Sequence, residues 1–203
     1  MYVTKTPAVV KALYRSLVWN MPRNKNEVYL TFDDGPHPEI TLEVLSLLEK
    51  HKAKASFFCV GENIVKFPQV FEQIKKAKHT IGNHTYNHLN GWVIDNTTYF
   101  ENVSICQQHT GTKYFRPPYG KITRSQAKYL NQWYKIIMWD VLSADFDSSI
   151  SKEKCLGNVI HNVKNGSIVV FHDSEKAYDR MIYSLEKTLA FLDQNNFKAV
   201  SFD

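Results

Sequence analysis

The run Val28-Tyr29-Leu30-Thr31-Phe32, followed at once by Asp33-Asp34-Gly35-Pro36, decides the class of fold. Five residues rich in β-branched and aromatic side chains read as a short buried strand, and two acids, a glycine and a proline end it. The same arrangement recurs along the chain. Strands are expected at 28–32, 55–60, 80–82, 114–115, 135–139, 167–171 and 198–201, with helical patterns at 40–50, 63–76, 98–109, 123–133, 152–163 and 179–195. Ahead of them an amphipathic helix carries Val9, Val10, Leu13 and Leu17, so residues 1–25 form an N-terminal helix and lead-in. Alternating β and α segments imply a parallel sheet covered by helices. Periodicity alone leaves a barrel and an open sheet undivided. No internal repeat or Pro/Gly-rich linker splits the 203 residues, and one domain over 1–203 is expected.

Composition excludes several classes. With 43% hydrophobic residues, 8 Gly and 7 Pro, the chain is neither disordered nor fibrous. Its net charge of +5 is scattered without a long basic run, so no nucleic-acid partner is expected. The first apolar stretch, 8–18, is broken by Lys11 and Arg15, giving neither a transmembrane segment nor an export signal. A cytoplasmic location is the expectation on that ground. Cys59, Cys106 and Cys155 are odd in number and lack a CxxC pair, as free buried thiols would be.

Five strand ends carry polar clusters: Asp33-Asp34-Gly35-Pro36, Asn83-His84-Thr85-Tyr86-Asn87-His88, Arg116-Pro117-Pro118-Tyr119-Gly120, Asp140 after Trp139, and His172-Asp173. In a parallel β/α protein the carboxyl ends of the strands converge on one face, where sites are assembled from several loops. His84 and His88, four apart, can reach one metal ion, and Asp33 or Asp34 can supply a third ligand. The other carboxylate is then free to face a water molecule. Two His, one Asp and open positions suit metal-assisted hydrolysis. The second aspartate can take the water's proton, Arg116 can orient that base, and His172 can protonate a leaving group. His37 reads as a turn residue, and His51, His79, His109 and His161 as structural. Trp139 suits a pocket wall or the core, and Trp92 and Tyr119 can stack on the flat face of a ligand.

Those motifs, in this order, resemble the polysaccharide deacetylases, the NodB-homology family of carbohydrate esterases (family 4). Thr31 to Pro36 matches the opening motif, His84 to His88 the His-x-x-x-His motif, Arg116 to Gly120 the Arg-Pro-Pro-Tyr-Gly motif, and Val170-Phe171-His172 the late histidine motif. The resemblance runs from Glu27 to the C-terminus. It implies a distorted or incomplete (β/α) barrel of about seven parallel strands. It also implies a metal-dependent hydrolase that removes acetyl groups from an N-acetylated glycan, with an O-acetyl esterase, another C-N hydrolase on the same scaffold or a non-catalytic glycan-binding protein as alternatives. By the same resemblance Asp34, His84 and His88 bind a divalent metal, zinc first and cobalt or nickel otherwise. Asp33 is the base tethered by Arg116, the backbone N-H of Tyr119 faces the oxyanion, and His172 is the acid. The sequence sets neither the glycan nor the oligomeric state.

One motif departs. Where the family has Asp-x-x-Asp-Trp, this chain has Leu142-Ser143-Ala144-Asp145-Phe146. The absent aspartate normally helps to hold the arginine. If 135–142 runs on as one strand, Asp140 lies on the face of position 142 and is the candidate for that contact with Arg116, the alternative being that it caps the strand end or pairs with His172.

Overall fold

A computed structural model describes residues 2–203. Its sheet is a curled half-barrel whose strands follow the order β5-β4-β3-β2-β1-β7-β6, all paired in parallel. They are β1 (Glu27–Asp33), β2 (Ala55–Cys59), β3 (Thr80–Asn83), β4 (Tyr114–Phe115), β5 (Lys135–Ile136), β6 (Val141–Leu142) and β7 (Ser167–His172). Seven strands on the path agree with expectation, but the membership differs. Val141–Leu142 is on it, whereas β8 (Lys198–Ala199) pairs with the first residues of β1 and stands off the path.

Alternation along the strands divides the core. Val28, Leu30, Phe32, Phe57, Val169 and Phe171 face outward. There they meet α2 (Ile40–Lys50), α3 (Gly61–Lys66), α4 (Pro68–Lys76), α7 (Lys152–Ile160) and α8 (Tyr178–Gln194). On the opposite face Tyr29, Phe58, Tyr114, Ile137, Ile168 and Phe202 fill the bowl of the half-barrel. A third cluster joins α5 (Asn96–Thr110) and α6 (Arg124–Leu130) to Phe115, Ile136 and Met138.

Local chemistry sets the helix ends. Asp95 accepts from the backbone N-H of Thr98 at the start of α5, and Thr123 and Gln126 form a reciprocal capping box on α6. The expected helix over 63–76 is two helices, because Pro68 has no N-H to continue the ladder and Phe67 leaves helical geometry at φ −129°.

Two further expectations fail at the N-terminal side. The first helix, α1 (Ala8–Leu13), buries none of its residues. Val9 and Leu13 lie exposed, and of that apolar stripe Leu17 alone is in the core. The chain then runs extended into the opening between the two ends of the sheet. Val18 bridges Ile137, Asn20 bridges Ser167 and Lys5 bridges Val141. The strand expected at 135–139 stops at Ile136; Ile137 N-H still donates to the Phe115 carbonyl, but beyond it Met138 N-H donates to the Val18 carbonyl and the Asp140 carbonyl accepts from the Thr6 N-H of the lead-in.

Candidate active site

Every polar cluster read from the sequence except Asp140 opens on one cleft of about 550 Å³ at the carboxyl ends of the strands. A second hollow of about 620 Å³ lies at the opposite end of the sheet, near Glu49, Lys54 and His79. There the His79 ring accepts from the Ala55 N-H, and burial pushes its pKa down to about 4. Among the described residues, no group of His, Cys, Asp and Glu placed to hold a metal ion lies there.

In the cleft, the donor atoms of Asp34, His84 and His88 all lie within 4.8 Å of one another. His88 Nε2 is 3.1 Å and His84 Nε2 3.8 Å from Asp34 Oδ1. Donors held about 2.1 Å from a tetrahedral ion stand roughly 3.4 Å apart, a value these separations bracket. His84 is buried and donates its Nδ1 proton to the Arg116 carbonyl at 2.7 Å. A carbonyl only accepts, so the Nε2 lone pair is left toward Asp34. Burial, and then the neighbouring His88, push the His84 pKa down to about 4, so the ring is neutral as ligation requires. Burial raises the Asp34 carboxyl, but the His88 hydrogen bond and the charge of His172 hold it below the usual carboxylate range. The residues present fit a divalent cation.

Strained backbone aims these groups. Asp34, Thr85, His88 and Tyr119 all have positive φ, from 55° to 83°, a conformation that L side chains adopt at a cost and that gathers at functional sites. Gly35 permits the first of these turns. A Cβ there would stand 2.1 Å from Asp173 Oδ2. The Asp173 carboxylate accepts from the Gly35 N-H at 3.1 Å and the Thr41 hydroxyl at 2.5 Å. Burial pushes Asp173 up to about 7, Thr41 opposing and the charge of Asp34 adding to the rise.

Asp33 ends β1 and is paired in register with His172, which ends β7. Arg116 Nη1 meets Asp33 Oδ1 at 2.6 Å, which leaves Oδ2 on the side of His84, 4.0 Å from its Nε2. Arg116 is fully buried, and burial lowers its pKa while the charge of Asp33 opposes the fall. Three further donors go to the Thr31 hydroxyl at 2.7 Å and to the carbonyls of Ile137 and Met138 at 3.1 Å, above the Phe58 ring.

The candidate contact of Asp140 with Arg116 is therefore absent. Its carboxylate faces the lead-in, with Arg23 at 2.9 Å, Lys5 at 3.4 Å and Lys11 at 3.8 Å, and accepts from the Ile168 N-H at 2.9 Å. The reason is the break in the strand, which turns residue 140 away from position 142. Backbone carbonyls and a hydroxyl do what the missing aspartate was expected to do.

Sequence reasoning missed the partner of His172. Asp145 accepts from His172 Nδ1 at 2.7 Å and from its backbone N-H at 2.8 Å. Burial disfavours the charged ring, but Asp145, assisted by Asp34 and Asp33, pushes it up to about 10. The retained acid of the altered motif was the available signal. Of the remaining residues, Tyr119, Trp139, Leu142, Phe146 and Lys176 line the cleft. His37 Nδ1 accepts from the Glu39 and Ile40 N-H groups, as a turn residue does. The three cysteines are buried and free, and burial raises each thiol.

Comparison with known sequences decides the family, since residues 20–134 match the profile described as polysaccharide deacetylase. The chain belongs to the polysaccharide deacetylase family. It is 38% identical over 160 residues to a peptidoglycan-N-acetylglucosamine deacetylase of Bacillus cereus, which covers 75% of this chain and 58% of that protein. A chitooligosaccharide deacetylase of Azorhizobium caulinodans is 30% identical, over 74% of this chain and 75% of that one. The crystal structure of a peptidoglycan N-acetylglucosamine deacetylase superposes with a TM-score of 0.86 at 32% identity, covering 97% and 95% of the two chains. Among the described residues no helix is long and apolar enough to cross a membrane.

Proposed function

We propose that this member of the family is a metal-dependent deacetylase that hydrolyses the acetamide of an N-acetylated sugar within a glycan. The observation that carries the proposal is a division of labour in one cleft. A carboxylate tied to an arginine and a histidine tied to a carboxylate stand in register on neighbouring strands, beside two histidines and an aspartate converging at ligand distance. Relatives acting on N-acetylglucosamine polymers support the amide and the sugar.

Asp34, His84 and His88 would hold the cation, with zinc preferred for this nitrogen and oxygen donor set and cobalt or nickel as substitutes. When bound, such an ion polarises an acyl carbonyl and acidifies water. Asp33 accepts the proton of the attacking water through Oδ2, the oxygen that Arg116 leaves free, as the new C-O bond forms. The backbone N-H of Tyr119, on a loop stiffened by Pro117 and Pro118, donates to the developing oxyanion. His172 is held at Nδ1 by Asp145, so its Nε2 proton is the one available to the departing nitrogen as the C-N bond breaks. The products are a free amine and acetic acid, which releases the second proton of the water to solvent or to the amine as it becomes acetate, and the proton on Asp33 restores the acid through solvent.

Acetate release tests the proposal. The metal-stripped protein is reloaded with zinc, cobalt or nickel and assayed on N-acetylglucosamine oligomers and on acetylated xylan. Metal-restored release from the oligomers alone is expected. Release from xylan alone would make the chain an O-acetyl esterase, and release from neither would make it a glycan-binding protein.

A further inference from the structure

From the rim of the cleft, an exposed ridge of aromatic rings and one cation runs outward from the metal-binding cluster. Tyr119 meets the His88 ring edge-on at 4.6 Å. Lys121 Nζ then sits 5.8 Å from the Tyr119 ring and 5.5 Å from that of Trp92. Trp92 is 63% exposed and Tyr119 62%, an unusual amount of open aromatic surface for two residues in one line.

Trp92 is held rigidly while exposed. Its indole N-H donates to the Ile122 carbonyl at 3.2 Å, and its backbone N-H donates to Asn90 Oδ1 at 3.0 Å. Beneath it, the buried side chain of Gln126 donates to the Gly91 carbonyl at 2.8 Å. A Cβ at Gly91 would stand 2.7 Å from both the Lys121 carbonyl and Gln126 Oε1, so the two loops are pressed together. The indole thus has its donor satisfied by Ile122 while most of its surface is open to solvent, with the Lys121 ammonium over the ring. Trp133 is 70% exposed, but it precedes β5, at the far end of the strands, and continues into no cleft.

We propose that Trp92, Lys121 and Tyr119 form an outer sugar subsite of the glycan chain. A sugar next to the one being deacetylated lays its apolar ring face on the exposed indole, and the Lys121 ammonium donates to its hydroxyl oxygens. The inference rests on the deacetylase assignment and adds to it a preference for longer chains. A flat platform already fixed in place gains affinity because little side-chain freedom is lost on binding.

Trp92→Ala, Trp92→Phe and the unaltered protein, each loaded with zinc, are compared on the disaccharide and the hexamer of N-acetylglucosamine. Trp92→Ala is expected to raise KM for the hexamer about 10-fold, equivalent to losing one modest contact. Both kcat values and the disaccharide KM are expected to stay within about twofold, and Trp92→Phe to recover most of the loss. Equal loss on both substrates, or no loss on either, overturns the subsite and leaves the deacetylase assignment intact. If the unaltered protein releases acetate from neither, that assignment fails, and calorimetric titration with the hexamer decides the subsite. Binding weakened by Trp92→Ala then supports it, and binding that ignores the substitution, or no binding, overturns it.

Discussion

Replacing Asp145 with Asn removes one charge from behind His172 and keeps the shape. At the 2.7 Å separation between Asp145 Oδ1 and His172 Nδ1, with an effective dielectric constant of about 20, the attraction is about 6 kcal/mol. That is worth about 4 pKa units, and it is the attraction that carries the ring from 6.5 to about 10 against the effect of burial. A cation on Asp34, His84 and His88 would cancel the assistance from Asp34 and leave Asp145 as the main support. Asp145 meets the backbone N-H and the ring of His172 with different oxygens, so in the same pose an amide turns an NH2 donor toward one of these two donors. The alkaline limb of kcat/KM is therefore expected to move down by about 2 units or more, since buried imidazoles without a counter-charge fall below their ordinary value. At pH 8.5 activity should drop about 10-fold to 100-fold, while near pH 6 it stays much closer to that of the unaltered protein. Metal content, read by atomic absorption, should not change. An alkaline limb that stays in place would refute the assignment of His172 as the acid and Asp145 as its support.

Asp33→Asn should keep the metal and lower kcat by about 10² to 10⁴, the usual worth of a general base; turnover near the original at neutral pH would mean another group takes the proton. His88→Ala should reduce both zinc occupancy and acetate release, and undiminished occupancy would remove it from the ligand set. Asp140→Ala should lower stability by about 2 kcal/mol, because three cations lose their counter-ion and the Ile168 N-H its acceptor. In a chain of this size that is a fall of about 4 to 8 °C in Tm, with kcat on a disaccharide little changed. In metal-free protein His172 also makes stability depend on pH. Its folded pKa of about 10 lies above the 6.5 of the free side chain, so its contribution is complete below about pH 6.5 and is lost as pH rises through 10. Urea unfolding across that range should show a decline that Asp145→Asn flattens.

The site was legible where its members are close in sequence. Asp33 and Asp34 are adjacent and His84 and His88 are four apart, so residue type and spacing carried the expectation. Arg116 was visible too, but its holders were not, because the carbonyls of Ile137 and Met138 have no side-chain signature. Asp145 and His172 are 27 residues apart, and their contact depends on β6 lying beside β7, which periodicity does not reveal. Asp140 was misplaced for a related reason. Its partner Arg23 is 117 residues earlier, and the strand assumed to continue to 142 ends at Ile136, a new one starting at Val141 beside β7. Helical spacing in the first eighteen residues suggested an amphipathic helix, but tertiary pairing kept one turn and a half of it and left its apolar side outside.

The lead-in also sets an order of events during folding. Its bridges join Lys5 to Val141, Val18 to Ile137 and Asn20 to Ser167, contacts across more than half of the chain. Pairing of β1, β2 and β3 closes short loops and can form early, whereas these bridges wait on long loop closures and on partners synthesised more than a hundred residues later. Until they form, the strands at both ends of the sheet present unpaired backbone, the kind of edge that recruits other chains. Nascent molecules should therefore be most prone to associate after β7 has emerged and before the lead-in has docked. In the finished protein the same segment is expected to exchange its amide protons sooner than β1, as the unit that detaches first.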